Sequence, residues 1–468
     1  MRLSLSAGPV VLAALTALAS SQARGQAIRL HGTTTTQYVQ LRPIQYDSAA
    51  DSGQGAYVSL PVTYAAPLVQ DLEVSAWGLG VTGLRVYALL RGRDALGSGL
   101  VWPQSDTHFE ALDAYLELQR AHYLLRLGRQ QHASGLGWYG FDGLTAAWTP
   151  VPALRVEAYG GRGMARAADE SFNASAITAL DPLRPDEGTV LLGASLWAAP
   201  TARSTFTAIY QRDILNDRSG LVSELASASA RVALGPWLYL SATANADVAR
   251  QQWGKASVTA TVLLARRTSV DLEAFQYRPT LDLTTIWGAF TPESHRGYAA
   301  TANVAAAPWL TLSGSFTWRH WQPLSSGSPF LVNVGDDQQE LELGAHARRG
   351  DVALDGDYHL QTGYGGGQSG GDLGLAWAPD GGWRAGFQAT AFQQTDLFRI
   401  AGSTVYGVGA NLRTPLGRGV GLTAAITRYF QRQGTGTTGL DWNQTRASVT
   451  FDWTLGADAD HLDGGGYQ

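Results

Sequence analysis

One phrase recurs along the whole chain. An alternating run stops at a short turn, often carrying proline, and a second alternating run follows at once. It stands at Thr149-Pro150, Ala199-Pro200, Gly235-Pro236, Ala307-Pro308, Ala378-Pro379 and Thr414-Pro415. The turns Ala66-Pro67, Arg120-Ala121, Arg266-Arg267 and Arg348 to Gly350 complete a series of ten. Between successive turns there is room for two strands and a longer connection. Such a rhythm describes a meander of hairpins with tight turns on one side and longer loops on the other, the pattern of a transmembrane β-barrel.

The runs themselves agree. Leu238, Leu240, Ala242 and Ala244 alternate with Tyr239, Ser241, Thr243 and Asn245. Near the end of the chain, Val449, Phe451, Trp453 and Leu455 alternate with Ser448, Thr450, Asp452 and Thr454. Successive strand side chains point to opposite faces, so each run has one apolar and one polar face. One face stays apolar over nearly all segments while the other carries charge. Backbone groups inside a bilayer must all be paired, and only a closed sheet does that for strands. The expected fold is therefore an all-β, antiparallel, up-and-down barrel.

Tryptophan placement points the same way. Trp148, Trp197 and Trp377 precede turns, and Trp237, Trp309 and Trp383 follow them, as one interfacial girdle would require. Trp138, Tyr139, Tyr277, Trp287, Trp321, Tyr429, Phe430 and Trp442 lie near the opposite strand ends and form the expected second girdle. Pairing the ten turns with eleven longer connections gives about 22 strands, within roughly 18 to 24. The expected loops fall at 43–54, 92–107, 132–139, 163–187, 214–219, 249–252, 279–293, 321–336, 362–368, 394–402 and 432–439. Residues 71–91 read as one long strand, with a hairpin turning at Gly78 to Gly83 as the alternative.

Arg2, the apolar stretch Val10 to Ala19, and the small-x-small sites at Ala23 and Ala27 read as an export signal. The expected division is a signal peptide over 1–27 and a barrel over 28–468. The absence of cysteine excludes disulfides, Cys-ligated metals and a lipoprotein anchor, and suits passage through an oxidising periplasm. Mean hydropathy of -0.09 is too polar for a helical membrane protein and natural for a barrel with a polar lumen. A net charge of -5, without a Lys/Arg cluster, gives no reason to expect nucleic-acid binding. No metal-binding or phosphate-cradling motif is present, so no cofactor is expected. The expected partners are outer-membrane lipid, small hydrophilic solutes and the outer-membrane assembly machinery.

The segment Leu125-Arg126-Leu127-Gly128-Arg129-Gln130, followed by Gly135, Gly137 and Phe141-Asp142-Gly143-Leu144, resembles the hairpin of alginate-export-like and related outer-membrane porins. The resemblance covers about 20 residues. It implies a monomeric channel passing a small or anionic solute across the outer membrane. No enzymatic activity is expected, because a catalytic triad is missing from the sequence. Parity, however, places eleven acids against seven arginines on the lumen face. That balance disfavours a polyanion and predicts mild cation preference.

The candidate pore-lining residues are Arg126, Arg129, Asp142, Arg155, Glu157, Asp113, Glu117, Glu340, Glu342, Asp351, Asp355 and Asp357. Arg126 or Arg129 can reach Asp142 across a strand pair, as a charged constriction or as a register-holding salt bridge. The five acids from Glu340 to Asp357 lie on two adjacent strands, as a solvated wall or a divalent-cation site. His132-Ala133-Ser134 has the spacing of an outer-membrane phospholipase but lacks the asparagine downstream, where Ala146 stands.

Overall fold

The computed structural model describes residues 27–41, 44–47, 56–59, 62–96, 109–164, 188–215, 220–265, 267–279, 293–322, 335–364, 367–379, 382–394, 403–433 and 442–456. Residues 1–26 of the proposed export signal, Trp287 and the tail after Gly456 lie outside them. The strands are β1 (Ala27–Leu41), β2 (Ile44–Asp47), β3 (Ala56–Ser59), β4 (Thr63–Ala65), β5 (Pro67–Trp77), β6 (Leu84–Ala95), β7 (Phe109–Gln119), β8 (Tyr123–Ser134) and β9 (Gly137–Val151). They continue as β10 (Leu154–Gly163), β11 (Thr189–Thr201), β12 (Ser204–Leu215), β13 (Leu221–Ala233), β14 (Leu238–Asp247), β15 (Gln252–Ala265), β16 (Thr268–Tyr277) and β17 (Ser294–Ala307). The last are β18 (Leu310–Gln322), β19 (Asp337–Arg349), β20 (Val352–Gly363), β21 (Gln368–Trp377), β22 (Arg384–Gln394), β23 (Ser403–Gly417), β24 (Val420–Gln433) and β25 (Trp442–Gly456).

Apart from the separate β2–β3 hairpin, each strand pairs antiparallel with its neighbours in sequence. β25 returns to β1 from Arg29↔Gly456 to Val39↔Arg446 and closes the sheet. β4 and β5 both pair with β1 and form one wall strand, so the barrel has 22 strands. Closure leaves no edge to be satisfied by water, which a wall in hydrocarbon requires. Wall strands of 10 to 15 residues match or exceed the span of a tilted strand across a bilayer, about 9 to 11 residues.

The first turn of the expected series is displaced. Ala66-Pro67 is a break within a wall strand, and the chain reverses instead at 78–83, where Gly78, Gly80 and Gly83 all have positive φ. Residues 71–91 are thus a hairpin and not one long strand. The two changes offset one another, so the strand count holds. Pro67 opens β5, a position where the missing N–H interrupts the ladder least. Strands also run past three of the proline turns, to Val151, Thr201 and Gly417.

A contact between strands that are not neighbours fixes which face is inside. Asn245 on β14 donates to the carbonyl of Gly135, at the tip of the β8–β9 hairpin, at 2.8 Å. Four strands separate β9 from β14 in the wall, so this contact crosses the interior. Register carries the assignment around the barrel. The lumen face holds Glu117, Arg126, Glu157, Ser227, Arg319, Glu340 and Asp357. The outer face holds Leu127, Val258 and Ile426, which are 58%, 56% and 53% exposed, as a lipid-facing wall would be.

The same register corrects the girdles. Trp148 and Trp377 are on the outer face, with Trp237, Trp309 and Trp383 at the turns beside it, but Trp197 pairs with Arg155 and Thr207 on the lumen face. At the loop side, Tyr139, Tyr277, Trp321 and Tyr429 also point inward. The outer aromatics there include Tyr210, Tyr298, Trp318 and Phe430. Sequence position near a strand end does not reveal parity, and one residue of register moves a ring from lipid to lumen.

Candidate constriction and lumen wall

A row of glycines crosses three strands: Gly128 on β8, Gly143 on β9 and Gly161 on β10 are register partners. A Cβ on Gly143 would stand 2.1 Å from the Gly160 carbonyl oxygen, and one on Gly161 would stand 2.3 Å from that of Asp142. Gly128 has φ 130°, in the range that favours glycine. At this level the hairpin leaves the wall. Pairing of β8 with β7 stops at Arg129, while β8 and β9 stay paired to Ser134↔Gly137. On the other side, β9 parts from β10 after Phe141, with one last bond from Met164 N–H to the Gly140 carbonyl. Residues 132–139, expected as a loop, are therefore mostly strand, closed by a two-residue turn and folded into the lumen.

The tip has a built seat. Ser227 donates to Asn245 Oδ1 at 2.8 Å, and Asn245 donates onward to Gly135. Leu136 packs on a buried group of Tyr139, Phe141, Tyr159 and Leu191. Tyr159 stacks with Phe141 at 5.6 Å and donates to Gln211 on β12 at 2.9 Å. Gln130, 1% exposed, accepts from Thr145 and donates to the Gly143 carbonyl. These rings and amides hold the hairpin across the interior, narrowing it as an inward loop does in wide barrels.

Most charges near the hairpin are neutralised by partners. Arg126 donates to Glu117 at 2.6 Å and lies over the Tyr115 ring at 4.5 Å. Arg155 donates to Glu157 at 2.6 Å, with His132 Nδ1 at 3.7 Å from the same carboxylate. Arg93 and Glu110 pair at 2.7 Å, with both side chains under a tenth exposed. Asp113 accepts from the backbone N–H of Gln131, where β8 departs from β7. Arg129 and Asp142 do pair, at 2.8 and 3.0 Å, but alternation carries them to the outer face. There Arg129 also donates to the Ala111 carbonyl, bracing the seam that the hairpin opens. These two expected lumen residues are therefore not on the lumen face. Ser134 Oγ accepts from the Leu136 N–H, and His132 faces Glu157 and Tyr159.

The wall of β18 to β21 differs. Glu340 accepts from Arg319 at 2.5 Å, Glu342 from Ser315 at 3.1 Å, and Asp355 is hydrogen-bonded to His346. Asp357 lies directly opposite Asp372 on β21, and neither carboxylate has a hydrogen-bonded or ionic partner among the described residues. Sequence reasoning found Asp357 and missed Asp372, because only register sets them side by side. Asp351 lies in the turn between β19 and β20, at the rim and not on the wall. Among the described residues, no three His, Asp or Glu side chains gather as a metal would need.

The loop-side mouth carries aromatics on its inner face. His295 lies 4.4 Å from Trp321 and 5.4 Å from Tyr277, and Trp321 stacks on Tyr364 at 4.9 Å. Tyr364, just beyond β20, donates to Glu293; burial first, then that carboxylate, pushes its hydroxyl up to about 12.

No protein-family model matches the chain, and no curated protein matches it. Solved structures do. The siderophore receptor PirA from Pseudomonas aeruginosa aligns with TM-score 0.53 at 12% identity, over 91% of this chain and 80% of that one. OccAB1 from Acinetobacter baumannii aligns at 0.43 and 8% identity, over 94% and 99%. A BenF-like porin from Pseudomonas fluorescens Pf-5 aligns at 0.43 and 10% identity, over 92% and 99%. The likeness to the siderophore receptor supports the barrel fold.

Proposed function

We propose that the chain is an outer-membrane channel through which small hydrophilic solutes diffuse, and that it is not an enzyme. The observation that carries this reading is the β8–β9 hairpin, which leaves the wall and is seated on β13 and β14 inside a closed 22-strand barrel. A barrel of this size is too wide for wall side chains to fill, and one inward hairpin narrows it without supplying a plug domain. The segment resembling alginate-export-like porins is this hairpin. Its glycines serve the bend, so the resemblance supports a constriction and says less about the solute.

Asp357 and Asp372 favour cations over polyanions, because their charge is presented to the lumen with no counterion among the described residues. Lipid contact follows from the apolar outer face, and insertion by the outer-membrane assembly machinery belongs to the same reading. Single-channel recording of the refolded protein in a planar bilayer with a salt gradient tests it. Discrete steps with a cation-biased reversal potential are expected. A folded barrel that passes no current would overturn the channel reading, and an anion-biased reversal would overturn the selectivity.

A further inference from the structure

The outer face is not uniform. Over β11 to β17 it is floored by alanine in two adjacent register lines. The first runs Leu196, Ala208, Ala228, Ala244, Ala256, Gln276, Arg296, each the cross-strand partner of the next. The second runs from Phe206 through Ala230, Ala242, Val258 and Ala274 to Tyr298. Together they line a groove of about 980 Å³, bounded at its far end by Tyr298 stacked on Trp318. Elsewhere the same face carries large side chains such as Leu343, Leu373, Phe387 and Ile426.

The groove has a direction. Six inter-strand steps of about 4.8 Å make it roughly 29 Å long. A strand tilt of about 40° makes such a line climb roughly 19 Å through the membrane, close to the depth of one leaflet. Its upper end, near the loop side, turns polar at Gln276 and Arg296. Arg296 is exposed on the outer face and makes no ion pair or hydrogen bond among the described residues. The next position on the line, His320, is already bonded to Asp337 at 3.0 Å.

We propose that this groove seats an acyl chain of a phosphate-bearing lipid of the loop-side leaflet, with its phosphate at Arg296. An apolar furrow of leaflet depth ending in a free guanidinium matches an amphiphile with one anionic end. A bidentate guanidinium–phosphate contact gives the headgroup its preference. A second copy of the chain would present a broad sheet face and leave a narrow diagonal furrow unfilled.

Quenching of tryptophan fluorescence by lipids brominated on the acyl chain tests this in vesicles. Trp318 lines the groove, so the difference between the wild type and Trp318→Phe isolates its signal. Brominated phosphatidylglycerol is expected to quench that signal with roughly a fivefold binding preference over brominated phosphatidylcholine. Arg296→Gln is expected to abolish the preference. The pair Ala228→Leu and Ala244→Leu, which fills the floor, is expected to reduce quenching by both lipids. Equal quenching by the two lipids, or a preference that survives Arg296→Gln, overturns the proposal. So does sedimentation showing a dimer whose interface covers Trp318.

Discussion

The lumen has two charged regions that look alike in sequence and behave differently in the fold. Around the β8–β9 hairpin, Arg126 meets Glu117, Arg155 meets Glu157 and Arg93 meets Glu110. On the β20–β21 wall, Asp357 faces Asp372, and neither carboxylate has an ionic partner among the described residues. Charge near the hairpin is consumed in holding backbone where a β-sheet would not otherwise put it. Charge on the far wall costs some stability through like-charge proximity, and it is left available to a passing ion. Counting acids against arginines along the chain merges these two kinds of charge.

The contrast can be broken in four places. Deleting residues 133–138 removes the seated tip, and single-channel conductance is expected to rise severalfold; unchanged conductance would mean the hairpin does not restrict the path. Gly143→Val puts a side chain where even a Cβ meets the Gly160 carbonyl oxygen at 2.1 Å. A loss of about 3 kcal/mol in urea unfolding from vesicles is expected, and a fully stable variant would show that close strand approach is not needed there. Glu117→Gln leaves Arg126 without its charged partner, and a loss of about 2 kcal/mol is expected with little change in ion selectivity. The double change Asp357→Asn and Asp372→Asn is expected to do the reverse. The cation-to-anion permeability ratio should fall by roughly threefold at low salt, with stability unchanged or slightly raised. A selectivity shift in Glu117→Gln equal to that of the double aspartate variant would erase the distinction between the two regions.

Much of the site was legible residue by residue and illegible as an arrangement. The glycines of Gly128, Gly135, Gly137 and Gly143 stood out, and so did Arg126, Arg129 and Asp142. Their roles did not, because a glycine row means a bend only when three strands are laid in register. Arg129 and Asp142 pair as expected yet face outward, since alternation sets them opposite Arg126 and Thr145. Tyr159, Gln211, Ser227 and Asn245, which seat the hairpin, carry no local signal: their partners lie 18 to 110 residues away. Trp197 and Tyr277 were placed at the correct strand ends and on the wrong face.

By itself, the sequence determined a closed antiparallel meander of about 22 strands, within roughly 18 to 24, with tight turns on one side and long connections on the other. Period-two alternation and turn residues are local, and a lipid-facing wall leaves only closure as a way to pair its backbone. The tertiary structure alone decided which charges are spent and which are free, where the hairpin crosses the lumen, and where alanines align into a furrow. Each of these depends on register between distant segments, and a single-residue offset would exchange lumen for lipid at every position.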